Sequence, residues 1–401
     1  MFLDVLLRRN RPFLEAAVEL HRAGEIPPNS YLLDLDTIAA NSAAFCAEAH
    51  LRGLTVFAMT KQVGRAPGAL DAMAAGDADG FVAVDMACAR AIAAAGHRLG
   101  HLGHLVQVPR AEASEAAALA PAFWTVFSAN KAAEAAAASA AAGRTQDLLV
   151  RVCDDGDEFY PGHEGGVPLA DLGGFIDRLG ELRGVRVAGL TTFPALLFDA
   201  DTGAARTTRN LATLARAAEV ARRRLGGDAT VAINAPGTTS TVVLDQLAGA
   251  GATQVEPGHG LTGTTPLHAS SDLHERPAIC YLSEVSHLHG GVPLCFGGGF
   301  YIDPVFAPYS PGALLAADPA DLDLPPVAVD FPDPAGIDYY ARLHPPSGRA
   351  VREGDTVICG FRAQAFVTRA AVVGLSGVAA AAPAVAGCWD TLGRTLRWGI
   401  S

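Results

Sequence analysis

Short apolar, β-prone runs alternate with alanine-rich helical stretches through the first two-thirds of the chain. The runs fall at 54–59, 80–84, 104–108, 124–127, 148–152, 186–190, 230–233 and 253–255. Helix-compatible segments such as 86–95, 130–142, 169–182 and 208–225 lie between them. Runs this short and continuously apolar fit strands buried on both faces, and their alternation with helices predicts a parallel sheet. Eight of them predict a (β/α)8 TIM-like barrel over residues 54 to 265 or so.

From Arg276 the pattern changes. Segments 278–287, 294–300, 356–358 and 365–374 look like strands with few helical periods between them, and prolines crowd the stretch from Pro304 to Pro346. Proline favours loops and edge strands. The expected organisation is an N-terminal helical extension over 1–30, a barrel over 31–270 and a C-terminal β-rich domain over 271–401, with the early strand 31–35 able to pair into the latter. A chain of 401 residues exceeds one ordinary core, which agrees with two domains.

Composition narrows the partners. Half the residues are hydrophobic and 18% are charged, and the formal net charge is −12. With no basic patch to offset that charge, a nucleic-acid or anionic-membrane partner is not expected. The run Arg222-Arg223-Arg224 reads as a solvated helix face. The first twelve residues are interrupted by Arg8 and Arg9 too early for a signal peptide, and no apolar run is long enough to span a bilayer. Seven cysteines without C-x-x-C spacing fit a reducing cytoplasm better than a disulfide scaffold or structural zinc site, and no metal is assigned.

Three segments carry candidate chemistry. Lys61 leaves the first apolar run, Thr55-Val56-Phe57-Ala58-Met59-Thr60-Lys61. Partial desolvation there favours the neutral, nucleophilic amine, which can form a Schiff base with a carbonyl substrate or with pyridoxal phosphate. A solvated strand-end lysine is the plainer reading of that segment alone. The second is Asn234-Ala235-Pro236-Gly237-Thr238-Thr239-Ser240, a Gly/Thr turn before a helix-compatible stretch. Its amides and hydroxyls suit a phosphate, or serve as an ordinary N-cap. The third is Glu256-Pro257-Gly258-His259-Gly260, where a carboxylate stands beside a glycine-rich turn. Such a carboxylate can pair with the pyridinium nitrogen of pyridoxal phosphate. Lysine, phosphate turn and ring-nitrogen partner describe one cofactor. All three fall at predicted strand ends, where barrel chemistry gathers.

At these residues the chain resembles the fold type III pyridoxal-phosphate enzymes of the alanine racemase and ornithine decarboxylase superfamily, and within it the YhfX-type branch. The resemblance rests on Tyr31-Leu32-Leu33-Asp34-Leu35-Asp36 with Asn41, Met59-Thr60-Lys61-Gln62-Val63-Gly64-Arg65, Phe159-Tyr160-Pro161-Gly162, Glu256-Pro257-Gly258-His259 and Gly297-Gly298-Gly299. It implies that Lys61 carries the cofactor, that Gly237, Thr238, Thr239 and Ser240 hold its phosphate with backbone at Gly258 and Gly260, and that Glu256 faces the ring nitrogen. Alanine racemases have an arginine there; glutamate is similar to the decarboxylase branch and keeps the ring protonated. The chain has Thr191-Thr192-Phe193 where racemases of this superfamily often carry Thr-His-Phe.

The resemblance implies an amino-acid racemase or epimerase, acting through Lys61 and a second proton donor from the partner subunit of a homodimer. His287 is the first candidate for that donor, followed by Tyr301 and Cys359. Tyr160 is a candidate contact for cofactor or substrate carboxylate, and His259 for the cofactor. The alternatives are a pyridoxal-phosphate decarboxylase or lyase, a non-catalytic cofactor-handling protein, and a barrel aldolase that joins its substrate directly. The amino-acid substrate is not specified.

Overall fold

A computed structural model describes residues 1–226, 229–304, 309–333 and 335–397. The chain divides into two compact units, one of residues 44–60 and 77–258, the other of 1–43, 61–76 and 259–401.

The first unit is the barrel. Its eight strands are Thr55–Met59, Gly80–Ala83, Leu99–Leu102, Phe123–Val126, Gln146–Cys153, Val185–Thr191, Ala232–Asn234 and Gln254–Val255. All neighbours pair in parallel, and the ring closes where the eighth strand pairs with the first, Val255 opposite Val56. Interior and strand positions such as Val56, Phe57, Ala58, Val82, Leu148, Leu149 and Val150 are buried, as a sheet covered on both faces requires. Gly189 on the sixth strand is dictated by packing, since a Cβ there would meet the Ala232 carbonyl oxygen at 2.3 Å.

The covering helices follow from local signals. Arg209–Leu225 starts at Thr208, whose hydroxyl accepts from the Leu211 amide at 3.4 Å. Leu211, Leu214, Ala217, Ala218 and Ala221 form its buried stripe. Arg222, Arg223 and Arg224 occupy its last turn, where cations complement the helix dipole. Ala129–Ala141 is capped in the same way by Ser128 and buries Ala132, Ala135 and Ala136.

The second unit is a β-sheet with helices against it. Its main path runs Ala328–Asp330, Tyr340–His344, Val292–Phe296, Ile279–His289, Ser30–Asp34, Ala371–Ser376 and Ala384–Trp389. Thr356–Cys359 pairs with both Ile279–His289 and Ala313–Ala316. Ser30–Asp34 joins this sheet, antiparallel to Ile279–His289 and parallel to Ala371–Ser376. The N-terminal helices Phe2–Arg9 and Arg11–Arg22 belong to the same core, where Leu6, Phe13, Leu14 and Val18 pack with Leu32, Leu282, Ile358 and Val373. Residues 1–30 are thus part of the β-rich unit's packing, each buried leucine or phenylalanine contributing about 1.5–3 kcal/mol.

Two predicted strands need correction. The third barrel strand is Leu99–Leu102, and not 104–108. Its glycine and histidine break the apolar run: a Cβ at Gly100 would collide with the Phe57 ring at 2.4 Å, and His101 is fully buried. The predicted strand 365–374 is a 3-10 turn, Ala365–Val367, followed by the strand Ala371–Ser376. The turn is fixed by its backbone bonds, the Phe366 amide donating to the Lys61 carbonyl at 3.1 Å.

Candidate functional site

In the barrel, polar side chains from four strands converge on Glu256, which follows the eighth strand. Glu256 Oε1 accepts from Asn234 Nδ2 at 2.9 Å and shares a short hydrogen bond with His101 Nδ1. His101 Nε2 meets the Thr125 hydroxyl at 2.5 Å, and the Thr191 hydroxyl donates to Asn234 Oδ1 at 2.7 Å. His104 Nδ1 lies 3.2 Å from Glu256 Oε2 without hydrogen-bond geometry, so that oxygen is buried with no hydrogen-bond partner among the described residues.

Burial alone would push the Glu256 carboxyl up. The charges of His104 and His101, with hydrogen bonds from His101 and Asn234, outweigh it and hold the group at about 2. Glu256 is therefore an anion at any working pH, with one oxygen left to accept a proton-bearing nitrogen. That matches the donor set of a pyridinium ring. The His101, His104 and Glu256 ligand atoms also lie within 4.8 Å of one another, a grouping that the sequence alone did not single out.

The Gly/Thr turn of residues 237–240 is in the same unit. Gly237 is required by close approach: a Cβ would stand 2.7 Å from the Leu196 nitrogen and oxygen. The Thr238 amide donates to the Leu196 carbonyl at 3.2 Å, and the Thr239 hydroxyl donates to the Gly237 carbonyl at 3.2 Å. Ser240 precedes the 3-10 turn Thr241–Val243, and its buried hydroxyl has no hydrogen-bond partner among the described residues. An orphaned buried hydroxyl beside a glycine that admits close approach fits a phosphate oxygen. Gly258 closes this unit in a buried turn, with the Pro257 carbonyl accepting from the Met59 amide at 2.8 Å. Tyr160 is 43% exposed, its ring 5.8 Å from Phe193 and 5.7 Å from His163.

Lys61 follows Thr60 directly and belongs to the second unit, half-buried. Its carbonyl, and that of Gln62, accept from Phe366 and Ala365, which anchors the segment. His259 is buried nearby in the same unit: Nδ1 meets the Thr264 hydroxyl at 3.0 Å and Nε2 lies 3.7 Å from Asp303 Oδ2. Gln364 donates to that same carboxylate at 2.8 Å, and Arg362 stands 3.2 Å from it. Gly260 lies beside His259 and its carbonyl accepts from the Gly263 amide at 3.1 Å.

Burial pulls His259 down to about 4, helped by the Arg362 and Lys61 charges and opposed by Asp303. Its proton is bound less tightly in the folded state than in the unfolded one, so stability rises with pH between about 4 and 6.5 and is lost on acidification through that window. Thermal melts across pH 4 to 7 should show a loss of up to roughly 3 kcal/mol that His259→Gln flattens. An unaltered slope in the variant would assign the loss to other groups.

The three proposed opposite-face residues are dispersed within the second unit. His287 is half-buried near the end of Ile279–His289, its ring edge-on to Tyr340 at 5.0 Å. Tyr301 is 51% exposed. Cys359 is buried in the sheet, where desolvation and the neighbouring Cys295 and Cys280 push its thiol well above the usual range, so it stays neutral. Sequence reasoning missed His101, His104, Asn234, Asp303 and Gln364. The segment Leu99-Gly100-His101-Leu102-Gly103-His104, with two histidines three apart, was the available signal for the first two.

Comparison with known proteins gives the family and the fold. Residues 33–266 match the family "Alanine racemase, N-terminal domain", and residues 280–385 match "YhfX-like, C-terminal domain". The "Uncharacterized protein YhfX" of Escherichia coli (strain K12) is 38% identical over 396 residues, covering 99% of this chain and 100% of the relative. The D-threonine aldolase structure from Filomicrobium marinum has a TM-score of 0.67 at 18% identity, covering 92% of this chain and 96% of that one. The alanine racemase structure from Corynebacterium glutamicum has a TM-score of 0.61 at 17% identity, covering 83% and 90%. Both likenesses concern the fold. Among the described residues, no helix is long and apolar enough to cross a membrane.

Proposed function

Because the chain belongs to the alanine racemase N-terminal domain family and carries a YhfX-like C-terminal domain, we propose that it is a pyridoxal-phosphate-dependent amino-acid racemase or epimerase. The observation that carries the reading is the buried, anionic Glu256 at the end of the eighth barrel strand, one of whose oxygens has no hydrogen-bond partner among the described residues and lies 3.2 Å from His104 Nδ1. When bound, pyridoxal phosphate supplies the electron sink that stabilises negative charge at Cα. The residues of this chain do the rest. Lys61 would hold the cofactor covalently and then take or return the Cα proton. Glu256 would keep the ring nitrogen protonated, while Gly237, Thr238, Thr239 and Ser240 hold the phosphate with backbone at Gly258 and Gly260. His259, beside Lys61 in the fold of its unit and neutral above about pH 4, would line the cofactor without adding charge.

Racemisation needs a proton on the opposite face. We assign it to His287 or Tyr301 of a second copy in a homodimer; Cys359 is held as a neutral, sheet-buried thiol. The substrate class is a free amino acid.

A second reading has its own support. Glutamate opposite the ring nitrogen makes the strongest electron sink, which serves loss of carbon dioxide or of a β-substituent as well as proton exchange. Incubation with L- and D-amino acids in deuterium oxide separates the two. Racemisation places solvent deuterium at Cα, keeps the carboxylate and accumulates the other enantiomer. Stoichiometric carbon dioxide or 2-oxo acid without enantiomer interconversion would replace the racemase by a decarboxylase or lyase.

A further inference from the structure

We propose that Arg65 is the positioning residue for Lys61: it closes the turn behind the lysine and ties that turn to residues 365–391 of the same unit. The inference rests on Lys61 being the working amine of the reading above, and adds what keeps that amine in one place.

The backbone of Arg65 gives the first indication. Among the described residues, Asn29, Arg65, Asp77, Ala120 and Ala381 have positive φ without being glycine, and of these only Arg65 is buried, at 4% exposure. At φ +59° its Cβ crowds its own backbone, a conformation that glycine, asparagine and aspartate tolerate and arginine does not favour. Gly64 before it is also left-handed, at φ +59°, and a Cβ there would meet Val372 Cγ2 at 2.6 Å. Two consecutive left-handed residues turn the chain sharply between Lys61 and the helix Pro67–Ala75. A conformation of this kind persists only where the surroundings hold it, and such positions gather at functional sites.

The side chain supplies the hold. Arg65 Nη1 donates to the Thr391 carbonyl at 2.6 Å, and the guanidinium lies over the Phe366 ring at 5.1 Å. Both partners are themselves fixed. The Thr391 hydroxyl donates to the Thr368 carbonyl at 3.0 Å, and the Thr368 hydroxyl donates to the Ala365 carbonyl at 2.9 Å. The circle closes on the lysine, because the Phe366 amide donates to the Lys61 carbonyl at 3.1 Å and the Ala365 amide to that of Gln62 at 3.4 Å. A lysine side chain is long and flexible, so its amine is placed only as well as its backbone is. An arginine that merely filled this turn would bear a conformational cost that glycine avoids. Here the guanidinium reaches the ring of the residue whose amide grips Lys61.

Arg65→Gly is the discriminating variant, since glycine accepts the left-handed backbone and removes only the tie. Its Tm should stay close to the wild-type value. Its holoenzyme should nevertheless release pyridoxal phosphate into cofactor-free buffer about 10- to 100-fold faster than the wild type. A second readout needs no cofactor. The chain has two lysines, Lys61 and Lys131, so Lys131 is an internal reference for brief acetylation with acetic anhydride, read by mass spectrometry. The ratio of Lys61 to Lys131 labelling in cofactor-free protein should rise about 3- to 10-fold in Arg65→Gly, as the half-buried amine gains freedom. Phe366→Leu should raise it as well, and Arg65→Lys, which can still donate to Thr391, should keep it nearer the wild type. An unchanged labelling ratio in Arg65→Gly overturns the proposal whatever its Tm, and so does an unchanged release rate. If Arg65→Gly does not fold, an unchanged ratio in Phe366→Leu overturns it instead. If the wild type binds no pyridoxal phosphate, the cofactor reading fails separately and the labelling ratio alone decides the positioning.

Discussion

Glu256→Gln should lower the rate of Cα proton exchange at saturating amino acid by about 100- to 1000-fold while pyridoxal phosphate stays bound. Glutamine keeps the shape of the side chain and can still accept from Asn234 and His101 through its oxygen. It carries no charge, so nothing holds a proton on the ring nitrogen, and the negative charge that develops at Cα loses most of its sink. The native carboxylate sits at about 2, far below working pH, so its removal is a full charge change and not a small titration effect. The measurement is deuterium incorporation against time, with cofactor content read from absorbance in the same samples. Equal rates in variant and wild type would remove Glu256 from the chemistry and leave its histidine network a structural feature.

Lys61→Ala should have the larger effect. It removes the covalent attachment and the base together, and loss of a general base alone costs about 100- to 10,000-fold. Exchange should fall to the level of free cofactor, and the cofactor should leave on dialysis. Mixing this variant with His287→Ala should recover part of the activity if the opposite-face group comes from a second copy. Failure to recover activity in the mixture, or a wild-type protein fully active as a monomer, would exclude that arrangement.

The barrel was legible in the sequence because parallel strands covered on both faces read as unbroken apolar runs. Seven of the eight were placed where they occur. The third was not, because Leu99–Leu102 carries the buried His101 and the packed Gly100, while residues 104–108 present a better apolar run outside the strand. The same reason hides much of the candidate site. Thr125 and Arg151 lie within strands, and Thr191 and Asn234 are the last residues of theirs; a polar residue there looks like a weaker strand until its partners are known. Lys61 and Glu256 were accessible because they stand just beyond strand ends next to short glycine-containing segments with their own signature. Asp303 and Gln364, brought to His259 by loops of the β-rich unit, have no sequence spacing that announces them. The N-terminal helices looked like an appendage because their burial against Leu282, Ile358 and Val373 is a long-range event with no local trace.

The reading stands on one covalent bond. Purified protein, treated with borohydride and digested with trypsin, should yield a peptide whose reduced phosphopyridoxyl group maps to Lys61, with the absorbance band of the untreated protein bleached in parallel. Attachment at another lysine would contradict the account. So would a protein that retains no pyridoxal phosphate but binds one divalent metal ion that Glu256→Gln abolishes.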